Sequence, residues 1–169
     1  MSDNIVNTDN IINRGTGAGG ANTNVSGLTF EDEVKIANIE GYNSCHKSEL
    51  HKYMVQKGEY SGKERMHGCK TPDQAFVSEE KKIIIIKEDK RQSKTGSIAE
   101  KLQTGGVKRD NYKKQYPNYN IHYIYCLSSW YRTNCIAEIE YLNDINIPVF
   151  WSDNVDFKNE IKNFIINCE

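Results

Sequence analysis

Four isoleucines in succession, Ile83 to Ile86, set the strongest limit on the fold. β-Branched side chains are stiff at χ1 and favour extended backbone, and in a strand successive side chains point to opposite faces. A strand that is apolar at every position must be covered on both faces, which places it centrally in a sheet. The pattern predicts a strand from Lys82 to Lys90, ending in the charged run Lys87-Glu88-Asp89-Lys90.

The flanking segments supply the other layers. Gln74 to Val77 reads as a short strand, Ile121 to Leu127 as another, and Ile147 to Trp151 as a third with Pro148 near its start. A first helix is expected from Leu28 or Thr29 to about Ile39, with Glu31, Asp32 and Glu33 in its first turns, where acids favour the helix dipole. Ser97 is placed to cap a helix from Ile98 to Gln103, with Glu100 three residues on as in a capping box. Helices are also expected from Tyr131 to about Leu142 and from Asp156 to Ile166, the latter with Phe157, Ile161, Phe164 and Ile165 on its apolar side. Residues 44–58 read as a short helix or an irregular insert, and 59–70 as a charged loop or strand. This order predicts an α/β fold with a central mixed sheet flanked by helices. The length suits one ordinary core: a flexible N-terminal segment over 1–18 and a single domain over 19–169.

Composition narrows the setting. No apolar run approaches the roughly eighteen residues of a membrane span. The start, MSDNIVNTDNIINRG, has neither a basic n-region nor an apolar core, so no secretory signal is expected. Five cysteines, an odd number without a regular framework, point with this to a reducing, intracellular and cytoplasmic location. Cys45, His46, His51, His67 and Cys69 have ligand types that suit zinc but lack the usual C-x2-C spacing, so packed or surface roles are expected for them. Net charge is −1, yet residues 87–114 carry nine Lys or Arg against four acids, and 136–169 carry two lysines against seven acids. Such a contrast can give a basic binding face and an acidic back.

The chemistry emerges from pairing. If 75–77 and 83–86 form a hairpin closed at Glu80-Lys81, Val77 faces Ile84, Ala75 faces Ile86 and Asp73 faces Glu88. Lys90 follows Glu88 by two and shares its face, so one sheet edge presents Asp73, Glu88 and Lys90 together. Hard carboxylate oxygens can hold magnesium, which shields a phosphodiester and polarises it. A lysine can orient or help deprotonate an attacking water and stabilise transition-state charge. The plain alternative is that these are the solvated ends of an apolar strand.

The wider pattern resembles the PD-(D/E)XK nuclease superfamily, its restriction-endonuclease branch in particular. GGANTNVSGLTFEDEV (19–34), TPDQAFV (71–77), IIIIKEDKRQ (83–92) and GSIAEKLQT (96–104) carry the resemblance, and IHYIYCLSSW (121–130) and IPVFW (147–151) fit the remaining core strands. It implies a restriction-endonuclease-like core, with Asp73 and Glu88 as metal ligands and Lys90 as the motif lysine. Glu31, with Glu33 competing, would be the acid on the first core helix. Gln92 would position a water or phosphate. The resemblance further implies a magnesium-dependent endodeoxyribonuclease leaving 5′-phosphate and 3′-hydroxyl ends on double-stranded DNA, and a homodimer over a palindrome. Homing, repair or junction-resolving nucleases would use the same residues.

Candidate phosphate contacts are Lys94, Lys101, Lys108, Arg109, Lys113 and Lys114, with Ser97 and its neighbours offering backbone amides at a helix start. Asn22, Thr23, Asn24 and Ser26 are candidates for reading base edges, and Tyr112, Tyr116 and Tyr119 for stacking or touching the DNA backbone, whereas Tyr123 reads as sheet packing. Two rivals stand beside this reading. A DNA-binding module would need the basic region and no metal, and a protein-binding α/β domain would need neither.

Overall fold

The computed structural model of the chain describes residues 28–62, 64–93 and 99–169. Five strands form one sheet in the order β1-β2-β3-β4-β5: Asn43–His46, Gln74–Ser78, Ile83–Lys90, Asn120–Leu127 and Val149–Trp151. β1, β2 and β3 pair antiparallel, while β4 and β5 run parallel to β3, so the sheet is mixed as expected. Residues 28–33 are helical (α1). The remaining helices are α2 (Glu49–Gln56), α3 (Ala99–Gln103), α4 (Gly105–Gln115), α5 (Trp130–Asn134), α6 (Ile136–Asp144) and α7 (Phe157–Ile166).

β3 occupies the middle of the sheet and all four isoleucines are buried. Ile84 and Ile86 join Leu102 of α3, Tyr112 of α4 and Leu142 of α6 on one face. Ile83 and Ile85 join Phe30 of α1 and Ile161 and Ile165 of α7 on the other. Burying a side chain of this size contributes about 2 kcal/mol, so the run anchors both layers at once. The β2–β3 register is Val77 with Ile84 and Ala75 with Ile86, as the hydrophobic pattern requires. The connection spans residues 79–82, with Lys82 in left-handed backbone (φ 52°).

Several expectations need correction. The first helix stops at residue 33 rather than near Ile39, because the buried Gln74 amide takes over the Ile36 peptide. Gln74 Oε1 accepts from the Ile36 N–H at 3.1 Å, and its Nε2 donates to the Ile36 carbonyl at 2.8 Å. The helix expected from Tyr131 to Leu142 is broken at Cys135, whose backbone leaves the helical region (φ −139°, ψ 45°). α4 lies where only a basic, tyrosine-rich segment was foreseen. Tyr112, Tyr116 and Tyr119 are core residues, at most 6% exposed, and so do not serve as stacking platforms. The acidic C-terminal third is not one back face, since α6 packs beside α3 and α4 while α7 covers the opposite side. Among the described residues no helix is long and apolar enough to cross a membrane. The segment 1–18, and with it Asn22, Asn24, Ser26, Lys94 and Ser97, lies outside the described residues.

Candidate active site

Asp73 sits one residue before β2, behind the buried Pro72. The β2–β3 ladder ends at Gln74 and Lys87, and the Asp73 side chain extends it: Oδ2 accepts the Asp89 N–H at 2.7 Å. Across the strand end, alternation sends Glu88 and Lys90 to the α4 side. Lys90 Nζ lies 2.9 Å from Glu88 Oε1 and 3.4 Å from Asp73 Oδ2, and it donates to the Asp89 carbonyl at 2.8 Å. Three oxygens thus converge on one ammonium at a partly open sheet edge. The convergence of Asp73, Glu88 and Lys90 follows from the same pairing that buries the isoleucines.

The surroundings tune these groups unequally. Burial pushes the Asp73 carboxyl up, against the pull of Lys90, and the neighbouring Glu88 and Glu31 charges add to the rise. Burial acts on Glu88 in the same sense, but the Lys90 and Lys108 ammoniums outweigh it and hold that carboxyl below its usual range. For Lys90, burial opposes the charge while Glu88 and Asp73 favour it, and the net effect lies well above the ordinary lysine range. Lys90 is therefore an ammonium in the free protein.

On the opposite face of β3, Lys87 and Asp89 form an ion pair at 2.6 Å with side chains 0% and 2% exposed. Asp89 points away from Glu88, as alternation dictates, to the α1 side of the sheet.

Glu31 enters from α1. It lines, with Asp73, His46, Lys47 and Asp89, a cleft of about 190 Å³, and Lys47 holds it at 3.1 Å. Glu33 is turned outward to Arg91 at 3.6 Å, so Glu31 is the acid that shares the cleft with Asp73. Gln92 follows β3, its N–H held by Ser128 Oγ at 3.1 Å.

No family model matches the sequence, and no curated protein matches it. Among solved structures, the chain is similar to MunI restriction endonuclease in complex with cognate DNA, at 12% identity and a TM-score of 0.45, over 76% of this chain and 81% of that one.

The remaining basic candidates divide. Lys108, on α4, does not simply face solvent: its Nζ lies 2.9 Å from Glu88 Oε1, the same oxygen that Lys90 contacts. Arg109 turns to the end of α6, where a guanidinium N–H donates to the Ile145 carbonyl at 2.6 Å. Lys101 is exposed, and Lys113 is half exposed with Asp110 at 3.9 Å. Sequence reasoning missed the tie from Lys108 to Glu88 and the place of His46 and Lys47 on the cleft. β1, which carries His46, has no apolar alternation to announce it.

The donor set can be tested against a divalent ion. Among the described residues no group of three His, Cys, Asp or Glu side chains is disposed to hold a metal. Cys45 and Cys69 are core residues, and burial raises both thiols to about 11. Magnesium asks for less: one or two carboxylates, with water completing the shell. Asp73 and Glu88 supply two, and both lie beside the Lys90 ammonium. The residues fit a hard divalent cation of this kind.

Proposed function

We propose that the chain is a magnesium-dependent endodeoxyribonuclease acting on double-stranded DNA, of the restriction type. The observation that carries this reading is the convergence of Asp73, Glu88 and the Asp89 carbonyl on the Lys90 ammonium at the end of β3. Asp73 and Glu88 would hold the ion, whose chemistry is to neutralise the phosphodiester and raise the acidity of a bound water. Lys90, kept protonated by its two carboxylates, contributes charge: it orients the attacking water and stabilises the extra negative charge of the transition state. The carboxylates keep Lys90 at the reacting edge, and the buried strand beneath them fixes that edge. Glu31 adds negative charge to the Asp73 side of the cleft. Gln92, at the end of β3, is assigned to positioning water or phosphate. Lys101 and Lys113 face solvent and are assigned to DNA phosphates. A twofold dimer would match a palindromic site.

Incubating supercoiled plasmid with the full chain and magnesium tests the reading. Nicking or linearisation is expected, and it should disappear with EDTA and with Glu88→Ala or Lys90→Ala while circular dichroism stays unchanged. Undiminished cutting by Glu88→Ala would remove Glu88 from the site.

A further inference from the structure

Glu88 carries two ammoniums on one oxygen, and they are held differently. Lys90 is tied to Asp73 and to the Asp89 carbonyl as well as to Glu88. Lys108 reaches across from α4, twenty residues away in sequence, and its ion pair is with Glu88. Its side chain is 19% exposed, close to the 21% of Lys90, so the two differ in their partners and not in their exposure. Without a metal the four groups balance: two carboxylates, two ammoniums.

A divalent cation at Glu88 would upset that balance. A dication on Glu88 would join the two ammoniums already 2.9 Å from its Oε1, and the three positive groups repel at short range. Lys90 springs from the same strand as Glu88 and keeps the Asp89 carbonyl as a partner, so it stays, and Lys108, tied to Glu88 from another element, leaves. Once released, it sits at the mouth of the site as an unpaired cation, where an incoming phosphate is the natural replacement partner.

We infer that Lys108 is an exchangeable counter-ion of Glu88: it blocks the metal-binding carboxylate in the free protein and transfers to a substrate phosphate when Glu88 takes the ion. Lys108 is thus a positioning residue that makes metal and DNA favour each other's binding, since linkage is reciprocal. This inference rests on the nuclease reading above.

Manganese is the probe, because it shares magnesium's preference for carboxylate and water and its free ion can be counted by electron paramagnetic resonance. The full chain is titrated without DNA, so the readout is affinity and not turnover. Lys108→Met should bind manganese more tightly, by about fivefold, the scale of a partly exposed ion pair. Lys108→Arg, which keeps the charge, should stay close to the unaltered chain, and Glu88→Gln should weaken binding more than about tenfold. A merely structural lysine would leave affinity unchanged or lower it when removed. If Glu88→Gln weakens binding while Lys108→Met leaves it unchanged or weaker, the counter-ion role is overturned and the metal site stands. If Glu88→Gln binds as the unaltered chain does, or no variant binds, the metal site and this inference both fall.

Discussion

One oxygen of Asp73 serves two donors, the Asp89 N–H at 2.7 Å and the Lys90 ammonium at 3.4 Å. The first interaction is structural and needs only an acceptor; the second is electrostatic and needs a charge. Asp73→Asn keeps an acceptor for the N–H and loses the charge, whereas Asp73→Ala loses both. We therefore expect urea denaturation to place Asp73→Asn within about 1 kcal/mol of the unaltered chain, and Asp73→Ala about 1–2 kcal/mol below Asp73→Asn, with cleavage absent in both. Equal stability of the two variants would show that the N–H bond contributes nothing. This trio was legible because strand alternation and a hairpin register are local rules: once Val77 faces Ile84, Asp73 is carried to the end of β3, where it meets the Asp89 N–H and Lys90. Lys108 was legible only as a basic residue. Its contact with Glu88 depends on how α4 lies across the sheet, which no spacing in the chain encodes.

β3 carries charge on both faces of its last residues: the α4 side bears Glu88 and Lys90, and the α1 side bears Lys87 and Asp89. Burial pushes the Asp89 carboxyl up to about 7, further than the adjacent Lys87 ammonium pulls it down. Between the ordinary aspartate value of about 4 and that point, the folded chain keeps a proton that the unfolded chain has released. The unfolded state then binds fewer protons, so stability falls as pH rises through this window and levels off above it. Urea midpoints measured across the window should show that decline, and Asp89→Asn should flatten it; an unchanged slope in the variant would contradict the assignment. β3 itself was readable from its isoleucines, whereas α4 was not. Its opening Gly105-Gly106 reads as a breaker. In the fold, a Cβ on Gly105 would come within 3.0 Å of the Tyr125 ring and 3.1 Å of Leu142, both buried, so the glycine permits close helix–strand packing. α1 was overextended for a comparable reason, since the Gln74 amide that claims the Ile36 peptide is 38 residues away.

Taken as one body, the chain sets its two layers of helices around a sheet whose central strand ends at the candidate site. The order of elements predicted this architecture because an unbroken apolar strand has few other solutions. What the order did not convey is the spread of charge: the acidic segments α6 and α7 fall on opposite faces, so net charge by segment does not map onto surfaces of the fold. The basic residues after β3 gather on α4, which packs on β4 and reaches the Asp73–Glu88–Lys90 edge through Lys108. The most direct measurement is digestion of long, sequence-diverse duplex DNA by the full chain with magnesium, alongside EDTA and Glu88→Ala controls. Discrete fragments with 5′-phosphate ends, lost in both controls, are the predicted result, and sequencing those ends would give the recognition site. Intact DNA at every magnesium concentration, or fragments that persist with Glu88→Ala, would contradict a metal-dependent nuclease centred on these residues.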